Sequence, residues 1–212
     1  WPGVDPMNAH NPTEVASRVT LYGVTGVPNS VIDGNHFNGG PIGTNFGGVP
    51  GWTNTTFTTR GAVNSNFKVD ISGRLNNALD SVFVTLKVKA SDANTGTYTG
   101  HIVVMEKEIN FSTAPGSNGE KDFYNVMKKM LPNQNGTLLD TTNWAINDSV
   151  VITKSWKIAN VYDKSRLAVV GWISRGSDKE VLQAGEASIS LPAGVVVADV
   201  AATQNHTNPT DY

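Results

Sequence analysis

The chain has 212 residues, a charged fraction of 16%, a formal net charge of -2 and no cysteine. That length houses a core without covalent staples, and the lack of cysteine excludes disulfides, thiolate catalysis, zinc–thiolate sites and iron–sulfur clusters. Near-neutral charge with no basic block excludes the electrostatic footprint of a nucleic-acid binder, and no apolar run approaches the ~20 residues that span a bilayer.

Polarity comes instead from glycine and from runs of Asn, Thr and Ser, a composition that suits an extracellular surface. The chain opens on Trp1-Pro2-Gly3 with no signal-peptide pattern, so a processed or truncated N-terminus is expected. The first element is a helix from Asn11-Pro12-Thr13-Glu14, with Asn11 as cap, Pro12 in the first turn and Gly23 as the stop. Val15, Val19 and Tyr22 recur at i, i+4, i+7 and form its expected buried face. A brief strand is expected within Val24 to Gly34, ending in an Asp33-Gly34 turn. Residues 35 to 52 hold Gly39-Gly40, Gly43, Gly47-Gly48 and Gly51 and read as a long loop, followed by a short helix from Thr53 to Arg60.

Near residue 64 the hydrophobic period changes from 3.6 to 2. Strands are expected around Phe67 to Ile71, Ser81 to Ala90, His101 to Asn110, Ser149 to Ala159, Leu167 to Ser174 and Val181 to Ser190. Val82, Val84, Leu86, Val88, Ile152, Trp156 and Val169 are their predicted core. Between the third and fourth of these, Ser117-Asn118-Gly119-Glu120 spells a capping box, and Phe123, Val126, Met127 and Met130 form a stripe stopped by Pro132, which predicts an inserted helix.

Candidate chemistry is sparse. His10, His36, His101 and His206 are scattered without ligand spacing, and Asp92-x-Asn94-x-Gly96 lacks the distal carboxylate of a calcium loop and reads as a hairpin turn. Glu106 and Glu108 share one strand side, as an acid–base pair would, but a solvated strand face is the favoured reading. No serine stands in a nucleophile elbow, no glycine loop precedes a helix as a phosphate cradle would, and Gly176-Ser177-Asp178 reads as a turn. No catalytic residue, metal or cofactor is therefore expected. Among the tryptophans, Trp156 and Trp172 are assigned to the core, while Trp1 and Trp52, in loops, are the surface candidates.

Tyr22-Gly23-Val24-Thr25-Gly26-Val27-Pro28, followed by a strand and Asp33-Gly34, resembles the loop before the fourth strand of thioredoxin-like domains, which implies that Pro28 is cis. More widely, Trp1-Pro2-Gly3, Asp5-Pro6-Met7, Asn11-Pro12, Arg18, Met130-Leu131-Pro132 and Lys179-Glu180-Val181-Leu182-Gln183-Ala184 carry a resemblance to the twenty-eight-kilodalton outer-membrane-protein family of type IX secreting bacteria. That resemblance implies a partial thioredoxin-like segment over 1–63 with its Gly-rich loop, an immunoglobulin-like or jelly-roll antiparallel β-sandwich over 64–192, and a strand or tail over 193–212. The fold class is thus mainly β (α+β), on a bacterial cell surface. Without cysteine no thiol–disulfide exchange carries over. The expected function is a non-catalytic structural module that associates with itself, in a filament or layer, through the apolar segment Gly194 to Ala202, with Val195, Val196 and Val197 as interface candidates. The alternatives are a binding module for surface glycan or protein and a degenerate thioredoxin-like domain of redox or chaperone ancestry.

Overall fold

The computed structural model describes residues 6–26, 29–35 and 53–195. Three helices come first: α1 (Pro6–His10), α2 (Pro12–Tyr22) and α3 (Asn54–Gly61). Strands follow as β1 (Phe67–Leu75), β2 (Ser81–Ala90), β3 (Asn94–Thr95), β4 (Tyr98–Asn110) and β5 (Asp122–Leu131). The remainder are β6 (Thr137–Leu138), β7 (Asn143–Trp144), β8 (Ser149–Lys157), β9 (Leu167–Arg175) and β10 (Val181–Ser190).

The class read from the sequence holds: the chain is mainly β, with little helix. Its strands form one path, β5-β4-β9-β10-β1-β2-β8, with β6 on β4 and a small β3–β7 ladder apart. The path folds over at β10, which runs antiparallel to β9 and then pairs in parallel with β1 at Gly73↔Ile189 and Arg74↔Ser190. One layer is therefore β1, β2 and β8, and the other β5, β4 and β9. The parallel join makes the sheet mixed, where a purely antiparallel one was expected. The layers meet closely at Gly171, where an added Cβ would lie 2.6 Å from Leu86 Cδ1 and 2.7 Å from Ile71 Cδ1, and at Gly100, where it would lie 2.5 Å from Ile152 Cδ1.

Strict alternation in β2 sends Val82, Val84, Leu86 and Val88 into the space between layers, where all four are buried. Ile152 and Val169 join them as predicted, while Trp156 is only half-buried. At one end of the core Phe67 stands edge-on to Tyr98 at 4.9 Å and to Trp144 at 5.2 Å between ring centres, a geometry aromatic quadrupoles favour.

Several expectations are corrected. Residues 122–131 form strand β5 on β4, not an inserted helix, and Ser117 to Glu120 is a turn in which the Glu120 N–H donates to Asn118 Oδ1. The misleading stripe has a local cause. Lys128 is an extra residue between the pairs Val104↔Lys129 and Met105↔Met127, and Asn125 has φ +54°, so period 2 is broken inside the strand. Within Val24 to Gly34 the described residues hold an isolated bridge at Ile32 and the expected Asp33-Gly34 turn; a thioredoxin-like sheet is not seen among the described residues of 1–63. The N-terminal helices lie against the sandwich instead. Arg60 of α3 ties Asp33 to Glu180, at 2.7 and 3.0 Å.

In α2, Gly23 ends the helix with φ +60° as expected, but Val15 and Val19 are half-buried and the fully buried positions are Asn11 and Glu14. A polar face is what meets the sheet. Pro28, Trp1, Trp52, Val196 and Val197 lie outside the described residues, and the cis X-Pro bond among the described residues is Leu131–Pro132. Val195 is half-buried and packs on the chain's own core.

Candidate binding site

The site is built by the way α2 attaches to β5. An edge strand leaves alternate N–H and C=O groups unpaired, and α2 answers them with side chains. Glu14 accepts from the Met130 N–H at 2.7 Å and Asn11 donates to the Lys128 carbonyl at 3.3 Å, while Lys129 Nζ also donates to Glu14. Asn11 further donates to Glu14 at 2.7 Å, so the residue expected to cap the helix instead orients this carboxylate. Once Glu14 is fixed, helical spacing carries Arg18 one turn further along the same face.

There Arg18 reaches two groups of the sheet. Its Nε donates to Met130 Sδ and its Nη2 to His101 Nδ1, both at 3.3 Å. A guanidinium only donates, so Nδ1 is the acceptor and the imidazole is neutral with its proton on Nε2. His101 and Trp172 are direct cross-strand partners on β4 and β9, and their rings stack at 4.9 Å with 13° between planes. The Arg18 guanidinium lies 5.5 Å from the centre of the same indole. Burial, and then the Arg18 charge, holds His101 down to about 4. Burial likewise pushes Arg18 below its ordinary value, opposed by Tyr22 and Glu14.

Around this stack lies a pocket of about 210 Å³. Helix α2 supplies Ser17, Arg18 and Tyr22, the loop after β5 supplies Gln134 and Asn135, and the β9–β10 turn supplies Arg175 and Lys179. Among the described residues that line it, three are cationic and none is acidic. Arg175 is neutralised by Asp178 at 2.9 Å and Glu180 at 3.1 Å. Arg18 and Lys179 are not: among the described residues neither has a carboxylate within ion-pair distance, and Lys179 Nζ donates only to the Leu21 carbonyl at 2.9 Å. Gly136 lies against the His101 ring. It has φ +73°, and a Cβ there would lie 2.6 Å from His101 Nδ1.

No protein-family model matches the chain, and no curated protein does. Among solved structures it is similar to a domain of the outer membrane lipoprotein Omp28 from Porphyromonas gingivalis, with TM-score 0.40 and 11% identity over 61% of this chain and 92% of that one. It is also similar to a β-glucosidase from Listeria innocua in complex with isofagomine, with TM-score 0.28 and 12% identity over 59% of this chain and 16% of that one. A third likeness is to the alkylpurine DNA glycosylase AlkC of Pseudomonas fluorescens, with TM-score 0.28 and 10% identity over 64% of this chain and 33% of that one. The chain thus spans a small part of either enzyme. At such TM-scores none of the three carries an argument about activity.

The residues weighed from sequence fall differently from their expected places. Trp172 lines this pocket rather than the core, and Trp144 is the tryptophan buried there. His101 is brought onto Arg18, which is remote in sequence. Arg18, Met130 and Lys179, quoted separately for the family resemblance, meet at one place because α2 docks on β5 beside the β9–β10 turn. Glu106 and Glu108 do not act as a pair. Glu108 binds Arg166 at the surface, whereas Glu106 is fully buried, not solvated. Glu106 Oε2 lies 3.3 Å from Lys128 Nζ, and its oxygens accept from the Tyr162 and Asp163 N–H groups. The bulge explains this ion pair, since the extra residue turns Lys128 inward. Burial raises Glu106 and lowers Lys128, each opposed by the other's charge. Three partners around one carboxylate make an anchor for residues 158–166, not a reactive group.

Asn94 and Thr95, read as a hairpin turn, pair with Trp144 and Asn143 in the β3–β7 ladder. Among the described residues no helix is long and apolar enough to cross a membrane.

Proposed function

We propose that this chain is a non-catalytic binding module of the bacterial cell surface, and that the pocket between α2, β4 and β9 holds a small extracellular ligand. One observation carries the reading: two half-buried cations without carboxylate partners among the described residues line a concave site with a stacked histidine–tryptophan pair. Such convergence of a few polar groups on an apolar wall is how binding pockets are built. The cell-surface location rests on the family resemblance and on the uncharged polar composition. Type IX export belongs to the same proposal. Redox ancestry has no chemical outlet in a chain without cysteine.

The test is an NMR screen of neutral and charged saccharide and peptide fragments on the labelled protein. Shifts clustering at Arg18, His101 and Trp172, and lost in Trp172→Ala, are expected. Fragments that perturb scattered surface sites and leave this cluster unmoved would sink the reading.

Self-assembly into a structural layer is the second reading, and the observation for it is the edge of β8, beyond which no strand pairs among the described residues. Against it stands Lys154. This lysine lies in the inward row of β8, opposite the buried Val84, and an inward-pointing charge on an edge strand discourages strand addition. The opposite edge is covered in part by α2. The binding reading is therefore preferred.

A further inference from the structure

Resting on the binding reading above, the geometry points to a carboxylate-bearing sugar, of the uronic-acid type and one ring in size, as the ligand of the α2–β4–β9 pocket. Charge is the first argument. Arg18 and Lys179 bring two positive charges into a lining that holds no acidic side chain among the described residues, and the third cation, Arg175, already has its two carboxylates. Half-buried cations without a counter-charge are costly, and an anion arriving between them recovers that cost.

Shape is the second argument. A guanidinium meets a planar carboxylate through two parallel bonds, whereas an ammonium acts as a point charge, so Arg18 orients the group and Lys179 adds attraction. Besides a side-chain hydrogen bond with Tyr22, Arg18 bonds to a thioether sulfur and an imidazole nitrogen, weak acceptors beside a carboxylate.

The third argument is what else faces the space. The Gln134 and Asn135 side chains and the Ser17 and Ser174 hydroxyls offer both donors and acceptors, which suits vicinal hydroxyls, and the His101–Trp172 pair gives an apolar wall for ring C–H groups. A volume near 210 Å³ lies below the roughly 300 to 1,000 Å³ of pockets for drug-sized ligands, so it admits one ring and not a chain.

Calorimetry at pH 7 and low salt with glucuronate, glucose and sodium sulfate tests this on the wild type and on Arg18→Gln and Lys179→Gln. Glucuronate is expected to bind at least tenfold more tightly than glucose or sulfate, and each variant to lose tenfold or more of that affinity. Circular dichroism checks that both variants remain folded, and Lys179→Gln, which removes only the bond to the Leu21 carbonyl, is a reporter that does not depend on Arg18 packing. Glucose binding as well as glucuronate would overturn the charge argument while leaving a binding module. Sulfate binding as well as glucuronate would reduce the site to a simple anion site and overturn the sugar. Absence of glucuronate binding, where the fragment screen still clusters at His101 and Trp172, would overturn the ligand class alone; absence of both would remove the binding reading with it.

Discussion

Single residues in this chain act through partners that are far away in sequence. His101 is the clearest case, because Arg18 and burial hold its neutral form. Its folded value near 4 lies below the ordinary 6.5, so on acidification the unfolded state takes up the proton first. Stability is fully present above about pH 6.5 and is lost as pH falls from there toward 4. Urea unfolding at pH 7.5 and 4.5 should show wild type losing about 2 to 3 kcal/mol more than His101→Gln, which removes the titration. Equal losses would place the imidazole in solvent. The Glu106–Lys128 pair behaves otherwise, since both members are charged and enclosed. Glu106→Gln or Lys128→Met alone should each cost about 3 to 5 kcal/mol, and the double variant should cost less than their sum by at least about 1 kcal/mol. Additive costs would mean the two groups are not coupled.

Elements are decided by what covers their edges. Strand β5 survives as an edge because α2 satisfies it with Glu14 and Asn11, in place of the apolar face expected from Val15, Val19 and Tyr22. Glu14→Ala leaves the Met130 N–H and Lys129 without their acceptor and should cost about 2 kcal/mol, with hydrogen exchange accelerated at Met130 but not in β2. Unchanged exchange at Met130 would show that the helix does not hold the edge. The same strand explains why the sequence misled. Phe123, Val126, Met127 and Met130 fit a helical stripe, and only pairing with β4, with an extra residue at Lys128, turns them into a bulged strand. The other long strands were legible because β2 and β8 keep unbroken alternation and the register shift of β10 falls at its first residues, between Val181 and Gln183.

At the scale of the whole molecule, two layers close over a single core at β10. Leu86 stands in the middle of it, in contact range of the space left by Gly171, so Leu86→Asp should abolish folding by burying an unpaired charge. A variant that melts like the parent would mean the register of β2 is wrong. The edge of β8, open among the described residues, is where association is tested. Light scattering should find the parent monomeric across concentration, and Lys154→Val should associate as its concentration rises, because the inward charge that guards the edge is gone. A parent that forms head-to-tail oligomers would restore the structural-layer reading.

By itself the sequence determined the class of the fold, most long strands, the Gly23 stop and most residues of the inner core. These follow from local periodicity and from backbone preferences that a short window contains. The missing cysteine likewise excluded thiol chemistry without any structure. What only the tertiary structure decided was the pocket. Arg18, His101, Trp172 and Lys179 belong to four separated stretches, and each alone reads as a helix surface, an isolated histidine, a core aromatic or a turn. Cross-strand register places His101 on Trp172, and the docking of a polar helix face on an edge strand brings Arg18 to both. Neither a register nor a docking contact leaves a periodic trace in one chain, because both depend on the free energy of residues that meet only after folding.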